Sequence, residues 1–289
     1  MTTAAPAPVR GIHVDPTAIV HPTALLEGDV EVGPGTTIGP GCSVLGTNGP
    51  VRIGAGCTLI AHAFLNGPLV MGDRNVVYPN ACLGFAPQDL NFDHNAAGAG
   101  LVIGNGNTFR EGVTVHRAKT ATPTRIGDSN YWMTNSHLGH DAQVGNNCVI
   151  ASGALIGGHV QLADRVTMGG NATIHQFVRV GRGAMFTGSI GTSLDLPPWF
   201  TLTARNVAGS MNVVGLRRSG ASLEAIHTVR WVYRQLYRSG GTPQQGLVRL
   251  RTRAGDPVVD EYIAFIEQSK RGICHGQPRA VRTAADSAE

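Results

Sequence analysis

An aliphatic or aromatic residue recurs every six positions along most of this chain: Val14, Val20, Leu26, Val32, Ile38 and Val44, then after a three-residue insertion Ile53, Leu59, Leu65, Met71, Val77 and Leu83. The series pauses over a polar, glycine-containing stretch from Phe85 to Gly100, returns at Ile103, Phe109 and Val115, and pauses again near Arg117 to Arg125. It then runs unbroken from Ile126 through Trp132, Leu138, Val144, Ile150, Ile156, Leu162, Met168, Ile174 and Val180 to Phe186. An α-helix would need a period of 3.6 and a half-buried strand a period of 2, so neither accounts for six. Four residues after many of these anchors stands a second small residue, as at Ala18, Ala24, Thr36, Cys42, Cys57, Ala63, Ala81, Ala142, Ala154, Ala172 and Ala184. Gly, Asn and Asp fill the corners between them, as in VGPGTT and VGNNCV, where left-handed backbone is needed. The 39 glycines, without a collagen period, fit a chain of many tight turns. This is the hexapeptide pattern of a parallel β-helix, and it resembles the left-handed kind, in which three hexads make one triangular coil.

The expected organisation is a flexible N-terminus over 1–11, a β-helix over 12–191 with loops near 85–100 and 117–125, a helical domain over 192–275 and a loose tail over 276–289. Pro197 and Pro198 mark the break. Ser222 is the expected N-cap of a helix that runs through Arg238 and stops at Gly240-Gly241, with further helices over Pro243 to Arg253 and Val258 to Lys270.

Hydrophobic residues make up 42% of the chain, enough for a sizeable core. A net charge of +4 is too small to argue for nucleic acid. Lysine occurs only at Lys119 and Lys270, whereas arginines gather late, at Arg217, Arg218, Arg230, Arg234, Arg238, Arg249, Arg251 and Arg253. They form either solvated helix faces or a surface for phosphates or an acidic partner. The five cysteines are odd in number and include no CxxC pair, so they read as small buried side chains in a reducing compartment. With no apolar leader and no run of about 18 apolar residues, a cytoplasmic protein without stable membrane insertion is expected.

A coil of about eighteen residues stacks the hexads of Leu138, Ile156 and Ile174, which carry His140, His159 and His175. His137 ends the preceding hexad, so four histidines are expected to converge, with His137 at an adjoining corner. One of them, His140 beside Asp141, could act as general base on a hydroxyl. Alternatively, neutral imidazoles could hold a divalent metal.

The segments Asn135-Ser136-His137-Leu138-Gly139-His140-Asp141, Gly157-Gly158-His159-Val160 and Ile174-His175-Gln176-Phe177 resemble the signature of the UDP-N-acetylglucosamine 3-O-acyltransferase family of lipid A biosynthesis. The resemblance extends to Gln88-Asp89-Leu90, Val113-Thr114-Val115-His116-Arg117, Asp195-Leu196-Pro197-Pro198, Asn212 and Gly215-Leu216-Arg217-Arg218. It implies a homotrimer with sites between subunits and transfer of a 3-hydroxyacyl chain from acyl carrier protein to a UDP-amino sugar, without cofactor or metal. It also implies His140 as general base, Asp141 as its orienting partner and the Gly158 N–H as oxyanion donor. Asp89, Leu90, His137, His159 and Gln176 match positions that hold the sugar, and His175, Asn212 and Arg218 match positions around the nucleotide and its phosphates. The residue matching Gly188 limits acyl length, and a glycine there leaves room for a longer chain. The late arginines would steer an acidic carrier protein.

Three departures stand out. Asn91 occupies the place of a lysine near the sugar phosphate, Val214 that of a glutamate, and Ser219 that of an arginine after Arg218. Transfer to an amine of a UDP-diamino sugar remains an alternative, as does a metalloenzyme of the γ-carbonic anhydrase type or a solenoid that serves only as scaffold.

Overall fold

The computed structural model describes residues 11–277; the expected flexible N-terminus and loose tail lie almost wholly outside them. The chain winds as a left-handed parallel β-helix whose cross-section is a triangle with three strand-bearing faces. Parallel registers set one coil at eighteen residues, pairing His137 with Leu155 and Leu155 with Thr173. One face is a sheet running from Ile19–Val20 to Phe200–Ala204, and the other two are stitched into a single sheet by the long strand Ser43–Ile53. The β structure continues past residue 191, because Gly191–Thr192 pairs with Thr173–Ile174 and the antiparallel hairpin Phe200–Ala204 and Val207–Met211 extends the first face.

The corners explain the period. Ser129, Asn135, Asp141, Asn147, Gly153, His159, Arg165, Asn171, Phe177, Gly183 and Ser189 all have φ between 55° and 69°, one left-handed residue in every six. Each turns the chain through a corner, so the anchors six apart all face the same axis. From Ile53 onward every anchor of the series is at most 3% exposed, and the small residues Cys42, Cys57, Ala63, Ala81, Ala142, Ala154, Ala172 and Ala184 are fully buried beside them. The first coils are looser, with Val14 40% exposed. Within the core a ladder of amides runs between coils: Asn107 Nδ2 donates to Asn75 Oδ1, and Asn130 Nδ2 to Asn107 Oδ1. Satisfying each buried amide through its neighbour avoids the cost of orphaned polar groups.

Four helices follow: α1 (Val213–Arg218), α2 (Leu223–Tyr237), α3 (Pro243–Arg251) and α4 (Pro257–Glu267). Ser222 caps α2 by accepting from the Ala225 N–H, as its position suggested. The short α1 carries too few residues for its own periodic signal. Tyr233, Tyr237 and Tyr262 pack on Phe200 with ring centroids 5.2 to 5.6 Å apart, and Tyr262 donates its hydroxyl to Pro198 O. The helices thereby close the C-terminal end of the solenoid, whose last coil would otherwise expose apolar side chains and unpaired strand groups.

Trp132 fills an interior position with no exposure and stacks on Phe109 one coil below, 6.2 Å between centroids. Trp132→Ala is expected to destabilise the chain by about 3–5 kcal/mol, the range for emptying a buried aromatic site, measured by denaturant unfolding.

Candidate active site

One edge of the prism differs from the others. Its left-handed positions are Asp141, His159 and Phe177, eighteen residues apart, at φ 61°, 59° and 64°. Holding ordinary side chains there costs on the order of 1–2 kcal/mol each, and such strain collects at functional sites. His159 is stacked on Phe177, with 4.4 Å between centroids and 7° between planes, and meets His140 edge-on at 5.2 Å. Two loops that interrupt the coils converge on this edge.

The centre is the pair His140 and Asp141. His140 Nδ1 lies 2.6 Å from Asp141 Oδ2. The second interruption, 117–125, wraps the carboxylate: Lys119 N–H donates to Oδ2 at 3.0 Å, Thr120 N–H to Oδ1 at 2.9 Å, and the Thr120 hydroxyl also to Oδ1. Burial works to raise the Asp141 pKa, but hydrogen bonds from Thr120, His140 and Lys119 outweigh it and hold the carboxyl below its ordinary value. An ionised Asp141 can only accept, so the hydrogen bond between them requires the N–H of His140 at Nδ1, which leaves Nε2 as an acceptor.

Gly158 lies over His140. A Cβ at this position would come within 3.1 Å of the imidazole Cε1 and Nε2, so a side chain would crowd the ring. In this turn Gly157 N–H donates to Ile174 O and His159 N–H to His140 O. Between them, among the described residues, the Gly158 N–H has no acceptor. A glycine packed against the His140 ring thus leaves its N–H unpaired among the described residues.

The histidine cluster departs from its expected membership. Residues 139, 157 and 175 share one row of the edge, 140, 158 and 176 the next, and 141, 159 and 177 the third, so His140, His159 and His175 each fall in a different row. His175 is exposed; its Nδ1 lies 3.2 Å from Gln176 O and 3.5 Å from Arg271 Nη2. His137 is on a strand face instead of a corner, where it pairs with Leu155 and meets Thr114 Oγ1 through Nδ1 at 2.8 Å. Its close neighbour is His116, 5.3 Å between centroids. His116 Nδ1 in turn reaches Ala86 O, on the first interruption, at 2.6 Å. His116 escapes the eighteen-residue arithmetic because the 117–125 loop lengthens its coil to twenty-three, the spacing of the Thr114 and His137 pair. Counting back across the loop from Leu138 to Val115 would have found it.

The first interruption, 85–100, brings Asp89, paired with Lys119 Nζ at 2.7 Å, and Leu90, fully exposed. It is anchored by Arg117, itself 1% exposed, whose guanidinium donates to Asn66 Oδ1, Gly84 O and Ala96 O and lies 5.9 Å from the Phe92 ring. Gln176 is exposed in the same edge. His137 and His175 share a cleft of ≈ 440 Å³ with Leu155, Thr173 and Arg205.

Asn212, Val214, Arg218 and Ser219 are elsewhere, around a separate cleft of ≈ 560 Å³ with Arg165 and Trp199. Asn212 caps α1, its Oδ1 accepting from Gly215 N–H and its Nδ2 donating to Gly183 O, so any contact with a nucleotide would share these atoms. Ser219 ends α1 and donates to Leu216 O, while Arg218 is exposed. Gly188 belongs to a third edge, where a Cβ would meet Gly170 O at 3.3 Å. As possible metal ligands, His140, Asp141 and His159 offer atoms within 4.8 Å of one another, but both Asp141 oxygens are already engaged by the loop and His140.

The family described as Udp N-acetylglucosamine O-acyltransferase, Domain 2, matches residues 195–274, and bacterial transferase hexapeptide repeats match 123–158. The acyl-[acyl-carrier-protein]--UDP-N-acetylglucosamine O-acyltransferase of Anaeromyxobacter sp. (strain K) is 39% identical over 258 residues, covering 88% of this chain and 98% of that protein. The protein of the same name from Burkholderia orbicola is 39% identical over 212 residues, 70% of this chain and 80% of its own. Among solved structures, UDP-N-acetylglucosamine acyltransferase of Francisella novicida superimposes with a TM-score of 0.77 at 29% identity, covering 92% of this chain and 95% of that one. UDP-N-acetylglucosamine O-acyltransferase of Moraxella catarrhalis does so at 0.76 and 31%, covering 91% and 99%.

Burial pushes the His137 pKa from 6.5 down to about 4, with His116 and His140 adding repulsion. His137 is therefore neutral in the folded chain while an unfolded histidine takes up a proton. Its contribution to stability is complete above pH 6.5 and is lost as pH falls toward 4. Unfolding of wild type and His137→Gln across this window should show the flatter pH dependence in the variant.

Proposed function

As this chain belongs to the UDP-N-acetylglucosamine O-acyltransferase family, we infer that it transfers a 3-hydroxyacyl chain from acyl carrier protein to the 3-hydroxyl of UDP-N-acetylglucosamine, the first acylation of lipid A biosynthesis. The observation that carries the chemistry is His140, aligned by a carboxylate on Nδ1 and packed against Gly158, whose N–H has no acceptor among the described residues.

The sugar hydroxyl is a poor nucleophile until a base within hydrogen-bond reach takes its proton. His140 Nε2 takes it as the oxygen attacks the thioester carbonyl, and Asp141 stabilises the imidazolium that forms. The carbonyl oxygen becomes an oxyanion and accepts from the Gly158 N–H. Collapse expels the carrier thiol, to which His140 returns the proton. No metal or cofactor is needed for these steps. Asp89, Leu90, His137, His159 and Gln176 hold the sugar, and His175 stands toward the nucleotide.

Arg218 and Asn212 complete the nucleotide site from a second copy of the chain. Their cleft shares no residue with the edge that carries His140, so within one chain the two halves do not meet. A homotrimer with its sites between subunits, the arrangement implied by the family resemblance, brings them together. Among the described residues no helix is long and apolar enough to cross a membrane, and all five cysteines are unpaired, which supports work in the reducing cytoplasm. The arginines of α2 and α3 would steer the acidic carrier protein.

His140→Ala should lower the turnover of UDP-N-acetylglucosamine about a hundredfold or more while thermal unfolding stays near wild type; a wild-type rate rejects the mechanism. By the family resemblance a glycine at position 188 leaves room for acyl chain, so the chain should prefer a longer 3-hydroxyacyl group. Gly188→Met should shift the preference to shorter chains when assayed with carrier proteins of graded acyl length.

A further inference from the structure

Lys119 touches both acids of the edge with different atoms. Its main-chain N–H donates to Asp141 Oδ2 at 3.0 Å, and its ammonium pairs with Asp89 Oδ2 at 2.7 Å. Asp89 is held from the other side by the Asn91 N–H, which donates to Oδ1 at 2.8 Å. The carboxylate thus fixes the ammonium at the point where the two loops meet. The pair is close enough to the histidines to act on them electrostatically: Asp89 feels His140, and His159 feels both Lys119 and Asp89.

An ammonium has three donors, and among the described residues Asp89 is the one side chain this ammonium bonds. Its side chain is 35% exposed at the rim of the site, so the remaining donors are open to a ligand lying over His140. The other lysine, Lys270, lies across a ≈ 790 Å³ cleft lined also by Asp141, His159 and Arg271. Among the described residues the cation paired with Asp89 at this rim is Lys119.

Given the acyl transfer inferred above, on which this step rests, we propose that the Lys119 ammonium, held by Asp89, binds the diphosphate of the sugar nucleotide and so sets the acceptor over His140. The 117–125 loop then has two tasks in adjacent atoms: its backbone aligns the base through Asp141, and its lysine recruits the anionic acceptor. Asn91 is consistent with this division, since its backbone holds Asp89 while the charge comes from the opposite loop.

Lys119→Met keeps the main-chain N–H and removes only the charge. Titration calorimetry with UDP, UDP-N-acetylglucosamine and uridine separates the phosphates from the base. UDP and UDP-N-acetylglucosamine should bind the variant about tenfold or more weakly, the scale of one lost charge-assisted hydrogen bond, while uridine binds both proteins alike. In steady state the KM for the sugar nucleotide should rise to match, with the KM for acyl carrier protein unchanged, and Lys119→Arg should restore most of the loss. Equal UDP binding by wild type and Lys119→Met, or a loss confined to kcat or to the carrier protein KM, overturns the assignment. Failure of the wild-type protein to turn over UDP-N-acetylglucosamine while it still binds UDP through Lys119 would reject the reaction and leave this assignment standing. Failure to bind UDP at all would reject both.

Discussion

One backbone conformation governs this molecule: a left-handed residue at the coil corners, recurring at every sixth position from Ser129 to Ser189. It bends the chain through each corner, brings anchors six apart onto one axis, and lays residues eighteen apart on top of each other. Glycine and asparagine take this conformation at little cost, and they occupy many of the corners. Along one edge the same positions are Asp141, His159 and Phe177. The conformation that is a matter of convenience elsewhere there projects chemically active side chains from a rigid scaffold, side by side and one coil apart.

The interruptions to the repeat supply what the repeat lacks. A strict coil presents short corners with no means of excluding water or fixing a carboxylate. The 85–100 loop, held by the buried guanidinium of Arg117, carries Asp89 and reaches His116 through Ala86 O. The 117–125 loop gives Asp141 its N–H donors and thereby determines which nitrogen of His140 carries the proton. Each loop leaves and rejoins the solenoid between paired strands, so parallel pairing resumes across it, with Cys82 against Thr114 across the first loop and Thr114 against His137 across the second; only between Leu83 and Phe85 does the register shift. Functional elaboration and coil stacking are thus separable in this architecture.

Regular periodicity was therefore legible in the sequence and its exceptions were not. The anchors from Ile53 to Phe186 occupy the interior as their spacing implied, and Ser222 caps a helix where its neighbours suggested. The histidines were harder. An eighteen-residue count placed His140, His159 and His175 on stacked hexads, yet they occupy three different rows of the edge, and His175 stands with Arg271 instead of with His140. His116 joined the cluster through a twenty-three-residue coil, a length set by a loop that carries no periodic signal. Sequence resemblance pointed to His140 and Asp141, which the structure joins by a hydrogen bond, but did not reveal that Asn212 is engaged in capping α1.

By itself the sequence determined the solenoid, because a period of six is a local property: each hexad needs only an anchor, a small partner and a corner residue. It also determined that an imidazole and a carboxylate are neighbours, since His140 and Asp141 are adjacent in the chain. Only the tertiary structure decided which side chains surround that pair. Lys119, Thr120, Asp89, Gly158 and His116 come from different coils and loops, and their contacts depend on insertion lengths and hydrogen bonds that have no counterpart in local spacing.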